Sequence, residues 1–211
     1  MMSTLRIRLR NIFLGVLSCL LVLGLYSPAF SHLVGASPST QSSEALEFSV
    51  GTELDGSLRA AESTLLAQGM PINSIKTYMA MMSDENVVPV RPTTDAKGVV
   101  GAALSGNRLI VRGSFRKLSS PMRDYAMDPV DPPNPNITSA FHIHQGMPTE
   151  NGPFQYALTV MMDETGMGGS AMGDFTLTPE QLTALENGML YVDLHTTANR
   201  GGELRAILMP L

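Results

Sequence analysis

Phe141-His142-Ile143-His144-Gln145-Gly146 is the stretch from which the chain is read. Apolar and polar residues alternate over it, the pattern of a strand with one buried face. Side chains on a strand point to opposite faces in turn, so Phe141 and Ile143 share the core side and His142 and His144 the other. The two imidazoles then stand one pleat apart, close enough to converge on a single ion. The same period recurs in Leu190-Tyr191-Val192-Asp193-Leu194-His195. There Leu190, Val192 and Leu194 face the core, and Tyr191, Asp193 and His195 face away from it. Three imidazoles from two strands match the ligand set of a mononuclear transition-metal site that keeps a position open for water or substrate. Neutral imidazole suits copper and zinc among the common ions; it suits the oxygen-loving ions poorly. Asp193 fits either as a weak fourth ligand or as a carboxylate that orients an imidazole from behind. The competing reading of a His-x-His strand is a plain polar face.

Outward from this stretch, the chain consists of short alternating runs broken by turn residues. Lys76–Ser83 reads as a strand. Gly98–Leu104 and Arg108–Phe115 read as a hairpin turning at Ser105-Gly106-Asn107. In its second strand Leu109, Val111 and Phe115 share one face, and Arg112 and Ser114 the other. Ile137–Gln145, Phe154–Met162, Ala171–Leu177, Met189–Thr196 and Glu203–Met209 complete the set. One late helix starts at Thr178-Pro179-Glu180-Gln181, where Thr178 caps, Pro179 takes the first helical position and Gln181 closes a capping box. About eight short strands with one short late helix predict an all-β, two-sheet antiparallel sandwich. Residues 119–136 form a long loop with Pro121, Pro129, Pro132, Pro133 and Pro135, a candidate contact surface for a protein or glycan partner. Glu203 and Arg205 share a strand face and are expected to pair with each other or to cap a sheet edge. Met147 and Met167, in loops, are candidate soft ligands for Cu(I).

The N-terminal third is different. Arg6, Arg8 and Arg10 precede an apolar run from Ile12 to Leu25, and small residues follow at Ala29 and Ser31. This is the layout of a secretory signal, with cleavage after Ser31 or after Ala36. The run is too short for a membrane span, which needs about 20 residues, so no stable span is expected after cleavage. The protein is then exported, periplasmic or extracellular. Cys19, the only cysteine, falls inside the apolar run, and the mature chain rests on its hydrophobic core without disulfides. The expected organisation is a signal peptide at 1–31, a flexible linker with a short helix (Ser57–Gln68) at 32–73, and one domain at 74–211. Without the three leading arginines, the 14 basic residues fall to 11 against 19 acidic ones, a net charge of −8. That sign excludes nucleic acid as a partner. No nucleophile elbow and no Gly-rich phosphate loop occurs, so the reading leans to binding rather than to an enzyme.

Several of these stretches together resemble the CHRD domain. They are Phe141–Gly146, the Asn151-Gly152-Pro153 turn, Leu177–Leu182, and Leu190–Thr196 followed by Asn199 and Gly202-Glu203-Leu204-Arg205. The resemblance runs from about Tyr78 to Leu211 and includes Val88-Pro89. It departs from the family pattern in the proline-rich loop, in the methionine content, and at Asp193, where an asparagine is more usual. The resemblance implies an extracellular or exported binding module, as in chordin, and no settled activity. A looser resemblance is to Cu/Zn superoxide dismutase, a Greek-key β-sandwich. It implies that His142, His144 and His195 correspond to three copper ligands, and that Arg205 or Arg200 guides an anion. The bridging histidine and the zinc ligands of that family have no counterpart here.

Overall fold

The computed structural model describes residues 41–211, with side chains from Val50 onward. The signal peptide, its cleavage positions and the start of the linker lie outside the described residues. A helix, α1 (Gln41–Ala67), is followed by strands β1 (Ile75–Met82), β2 (Lys97–Ser105), β3 (Arg108–Arg116), β4 (Phe141–Gln145), β5 (Phe154–Ala157), β6 (Thr159–Met162) and β7 (Gly169–Thr176). Helix α2 (Pro179–Glu186) and strands β8 (Leu190–Leu194), β9 (Leu204–Ile207) and β10 (Met209–Pro210) complete the domain. The strands form two antiparallel sheets, ordered β10-β1-β2-β3-β7-β6 and β5-β4-β8-β9. This is the all-β sandwich expected from the strand pattern.

The alternation of each strand explains the core. From the larger sheet Tyr78, Val100, Ala102, Leu104, Leu109 and Val111 meet Phe141, Ile143, Val192, Leu194 and Leu204 from the smaller one. Phe115 and Phe141 meet edge to face with centroids 6.0 Å apart, a favoured aromatic geometry. Two runs expected as single strands are each divided. Phe154–Met162 splits at Leu158, and Glu203–Met209 splits at Leu208. In each case one fully buried leucine marks the point where the chain leaves the smaller sheet for the larger. Both leucines keep their amides bonded across the switch, Leu158 N–H to the Phe141 carbonyl and Leu208 N–H to the Leu190 carbonyl, each at 2.9 Å. The division accounts for ten strands where about eight were expected. α2 begins with the capping box of Thr178 and Gln181.

α1 corrects the expected lead. It has 27 residues, reaching well upstream of the expected Ser57–Gln68 helix and through much of the expected linker. Gly51 and Gly56 lower its intrinsic propensity, and contact with the larger sheet overrides that. Ala61 and Leu65 are fully buried with Ala103 and Ile110 on the outer face of β2 and β3. A Cβ at Gly101 would stand 2.6 Å from the Leu58 amide nitrogen, so glycine lets the helix lie directly on β2. Arg112 and Ser114, the polar face of β3, are used by the same helix: Arg112 Nη2 donates to Thr64 Oγ1 at 3.1 Å and Ser114 Oγ to Glu53 Oε2 at 3.1 Å. Arg116 pairs with Glu53 Oε1 at 2.7 Å. Among the described residues no helix is long and apolar enough to cross a membrane.

Candidate metal centre

β4 and β8 are adjacent and antiparallel, with Phe141 opposite Leu194, His142 opposite Asp193 and His144 opposite Tyr191. The pairing puts His142, His144, Asp193 and His195 on one face of the smaller sheet, away from the core. His195 follows the last residue of β8, and its amide bonds the Ala140 carbonyl at 2.8 Å. The potential ligand atoms of the four residues all lie within 4.8 Å of one another. Asp193 Oδ1 is 3.1 Å from His195 Nε2, 3.3 Å from His144 Nε2 and 3.8 Å from His142 Nδ1. Four donors bound tetrahedrally at 2.0–2.1 Å stand about 3.3–3.4 Å apart, so these separations bracket that of a four-coordinate ion.

The ring nitrogens that turn away from this point are all engaged. His142 Nε2 lies 2.5 Å from the Ser139 carbonyl, His144 Nδ1 3.0 Å from that of Gly152, and His195 Nδ1 3.0 Å from that of Arg200. A carbonyl only accepts, so each of these nitrogens carries the hydrogen. In a neutral ring the opposite nitrogen then presents its lone pair to the centre. Outer carbonyls holding the tautomer are the usual support of metal-bound histidine. Asp193 is placed differently. Its oxygen sits among the inward nitrogens, not behind a ring, which is the position of a ligand rather than of an orienting carboxylate.

His144 Nε2, His195 Nε2 and Asp193 Oδ1 are buried without a hydrogen-bond partner among the described residues. Both nitrogens lie within 3.3 Å of Oδ1, but in neutral rings that carry the hydrogen on the outer nitrogen two acceptors face each other there and no bond forms. Unsatisfied buried polar atoms are rare and need an explanation, a bound ion among them. Here they are the atoms a cation would take, so the residues fit a metal. The electrostatics of the metal-free cluster agree with the geometry. Burial lowers the pKa of His142 to about 4, against the pull of Asp193. Burial also opposes ionisation of Asp193, but His195 and His144 beside it outweigh that and hold the carboxyl well below the usual range. Burial would lower His195 too, yet the Asp193 charge overcomes it and the pKa is raised. The metal-free cluster thus holds an ionised Asp193 and a neutral His142 near pH 7, and the Asp193 charge favours the protonated form of His195.

The face expected to be open is covered. His142 is 2% exposed and His195 8%. Tyr125, from the proline-rich loop, lies over His142 and His195 with ring centroids at 5.4 and 6.4 Å. Phe154 meets His142 and His144 edge-on at 5.3 and 6.0 Å. Tyr191 stacks on His144 at 5.2 Å. Tyr191 was legible as part of the polar face of β8. Phe154 and Tyr125 carry no signal of their own, because their roles depend on pairing and on the course of a loop. The Asn151-Gly152-Pro153 turn, by contrast, supplies the carbonyl that holds His144. A Cβ at Gly152 would stand 1.7 Å from the Gln145 carbonyl oxygen, so only glycine lets the turn pack there.

Arg205 lies on the neighbouring strand opposite Asp193 but points its guanidinium elsewhere. It stacks over the Tyr191 ring at 3.7 Å and donates to Asn151 Oδ1 and to the carbonyls of Met147 and Glu150. The expected pair with Glu203 does not form. Glu203, fully buried, accepts from the Thr94 and Thr196 hydroxyls and from the Ser119 amide. Met167 packs against the core, and Met147 is 48% exposed in its loop.

The sequence model of the CHRD domain matches residues 78–208, a span that contains the four clustered residues and leaves α1 outside. No curated protein and no solved structure matches the chain. A match over more than half of the chain, across the strands that build this cluster, makes the protein a member of the CHRD domain family.

Proposed function

We propose that this is an exported CHRD-domain protein that binds one transition-metal ion through His142, His144, His195 and Asp193. The observation that carries the reading is the convergence of three imidazoles and a carboxylate, each ring held from behind by a backbone carbonyl. Three nitrogens and one anionic oxygen suit a divalent ion, copper ahead of zinc in intrinsic affinity. With Asp193 as fourth ligand and aromatic rings around it, the site reads as a closed holding site rather than one with an open position for substrate. Export rests on the Arg6–Ser31 pattern and fits the family. A dismutase-like reading with Arg205 steering an anion gains no support, since the donors of Arg205 are taken by Asn151 and the 147–150 carbonyls.

The alternative is a metal-free extracellular module that engages a protein or glycan. A cleft of about 510 Å³ within the proline-rich loop, lined by Tyr125, Val130, Pro133 and Ile137 among others, favours it. The two readings part in a titration of purified protein with Cu(II), Cu(I) and Zn(II), run on wild type and on His195→Ala. One tight equivalent in wild type, lost in the variant, is expected. Equal weak binding by both rejects the metal reading.

A further inference from the structure

The loop over the cluster is joined to the ligands at both ends. At one end the Arg123 amide donates to the carbonyl of His195 itself, at 3.1 Å. At the other, the Ser139 carbonyl accepts from His142 Nε2. Between these ends Tyr125 covers His142 and His195. Arg123 holds the intervening turn: its Nε donates to Asp128 Oδ2 at 2.8 Å, its Nη2 to the Asp128 carbonyl at 3.0 Å, and its guanidinium lies 4.4 Å from the centre of the Tyr125 ring. Asp128 Oδ1 pairs in turn with Arg200. Arg200 is the residue whose carbonyl fixes the His195 tautomer. Apart from the bonds to Arg123, the hydrogen bonding between residues 124–138 and the rest of the described domain reduces to that Asp128–Arg200 pair. The pair is open to solvent, with side chains 38% and 60% exposed. Exposed pairs of this kind are weak and are screened by salt. A segment with so few anchors opens locally without unfolding the sheets behind it.

We infer that residues 123–139 form a strap that sets the rate at which metal enters and leaves the cluster, with Tyr125 as its cover and Asp128 as its pin. The inference rests on the metal-binding reading. Neither residue belongs to the ligand set, so loosening the strap speeds exchange in both directions and leaves the affinity nearly unchanged. A residue that merely supported the ligands would act otherwise, raising release alone and weakening affinity by the same factor.

The test is stopped-flow uptake of Zn(II) and Cu(II) from a chromophoric indicator, with release into excess chelator, for wild type, Asp128→Asn and Tyr125→Ala. Asp128→Asn takes the charge from the Arg200 pair and from the Arg123 pair and is expected to raise both rates by about fivefold or more, one exposed ion pair being the lower bound. Raised ionic strength should do the same to wild type and little to the variant. Release raised alone, or neither rate changed, overturns the strap. A second measurement needs no metal: the rate at which diethylpyrocarbonate modifies His142 and His195 in metal-free protein, read by peptide mass spectrometry. Both variants should be modified faster than wild type, and equal rates count against the strap. Wild type that takes up no metal overturns the metal reading alone, and the modification rates then decide the strap.

Discussion

Replacing Asp193 by asparagine keeps the shape of the side chain and removes its charge. In the metal-free protein the carboxylate lies 3.1 Å from His195 Nε2. At an effective dielectric near 20, a charge pair at that distance attracts by about 5 kcal/mol. That attraction is what raises the His195 pKa against burial. Without it only the Arg200 carbonyl still opposes burial, so the His195 pKa falls from its raised value. An NMR titration of the imidazole checks this directly. For the metal-loaded protein, the substitution trades the only anionic donor for a weak amide oxygen. Taking one partner out of a buried charge pair costs about 3–5 kcal/mol, or roughly a hundredfold to a few thousandfold in Kd. Metal at a thousand times the wild-type Kd stabilises wild type by about 4 kcal/mol, which for a chain of this size is a Tm rise of roughly 8–16 °C. A variant bound a thousandfold more weakly gains about 0.4 kcal/mol at the same concentration, near 1 °C. The assay is a thermal melt with and without one saturating metal, paired with chelator competition at fixed pH. An Asp193→Asn protein that melts cooperatively and binds within about threefold of wild type would refute a ligand role for Asp193.

Three further expectations follow from the same geometry. Gly152→Ala puts a methyl group where the Gln145 carbonyl stands; the shift of the turn should destabilise the domain by about 1–3 kcal/mol and weaken metal binding, both read from melts with and without metal. Gly101→Val drives a side chain into the backbone of α1 at Leu58 and should lower Tm by several degrees while exposing α1 to limited proteolysis. His142 protonates near 6.5 when unfolded and at about 4 when folded, so the unfolded state binds the extra proton between those values. Its contribution is therefore fully present above pH 6.5 and falls by about 3 kcal/mol as pH drops from 6.5 to 4; metal-free wild type should lose that much more stability over this window than His142→Gln, measured by urea unfolding.

The faces of the strands were legible and their surroundings were not. Period-two alternation is a local property of the backbone, so Phe141 and Ile143 could be assigned to the core and His142, His144, Asp193 and His195 each to the non-core face of its own strand; that the two strands are neighbours and share that face came only with the pairing. What covers that second face is set by residues distant in sequence. Tyr125 reaches it only because the Arg123 amide bonds the His195 carbonyl and because Met122 pairs with Thr196, and neither contact has a periodic signature. The same limit explains α1. A short apolar stripe was visible from Ser57, but the helix upstream of it depends on Glu53 meeting Ser114 and Arg116, a match between polar residues that no hydrophobic pattern reveals.

Arg205 and Asp193 show why same-face arguments need the neighbouring strands. Each was placed on the polar face of its strand, and the register sets them opposite one another. Only Asp193 joins the histidines. Its short side chain ends within the ring of nitrogens, whereas the guanidinium of Arg205 extends past it onto Tyr191 and into the 147–151 turn. That turn also carries Gly152, whose carbonyl holds His144. Arg205 therefore acts on the cluster at one remove, by fixing the segment that orients His144. The charge that sequence reasoning assigned to guiding an anion is spent on the backbone carbonyls of Met147 and Glu150, and the negative charge of Asp193 is left to be balanced by His195 or by a bound cation.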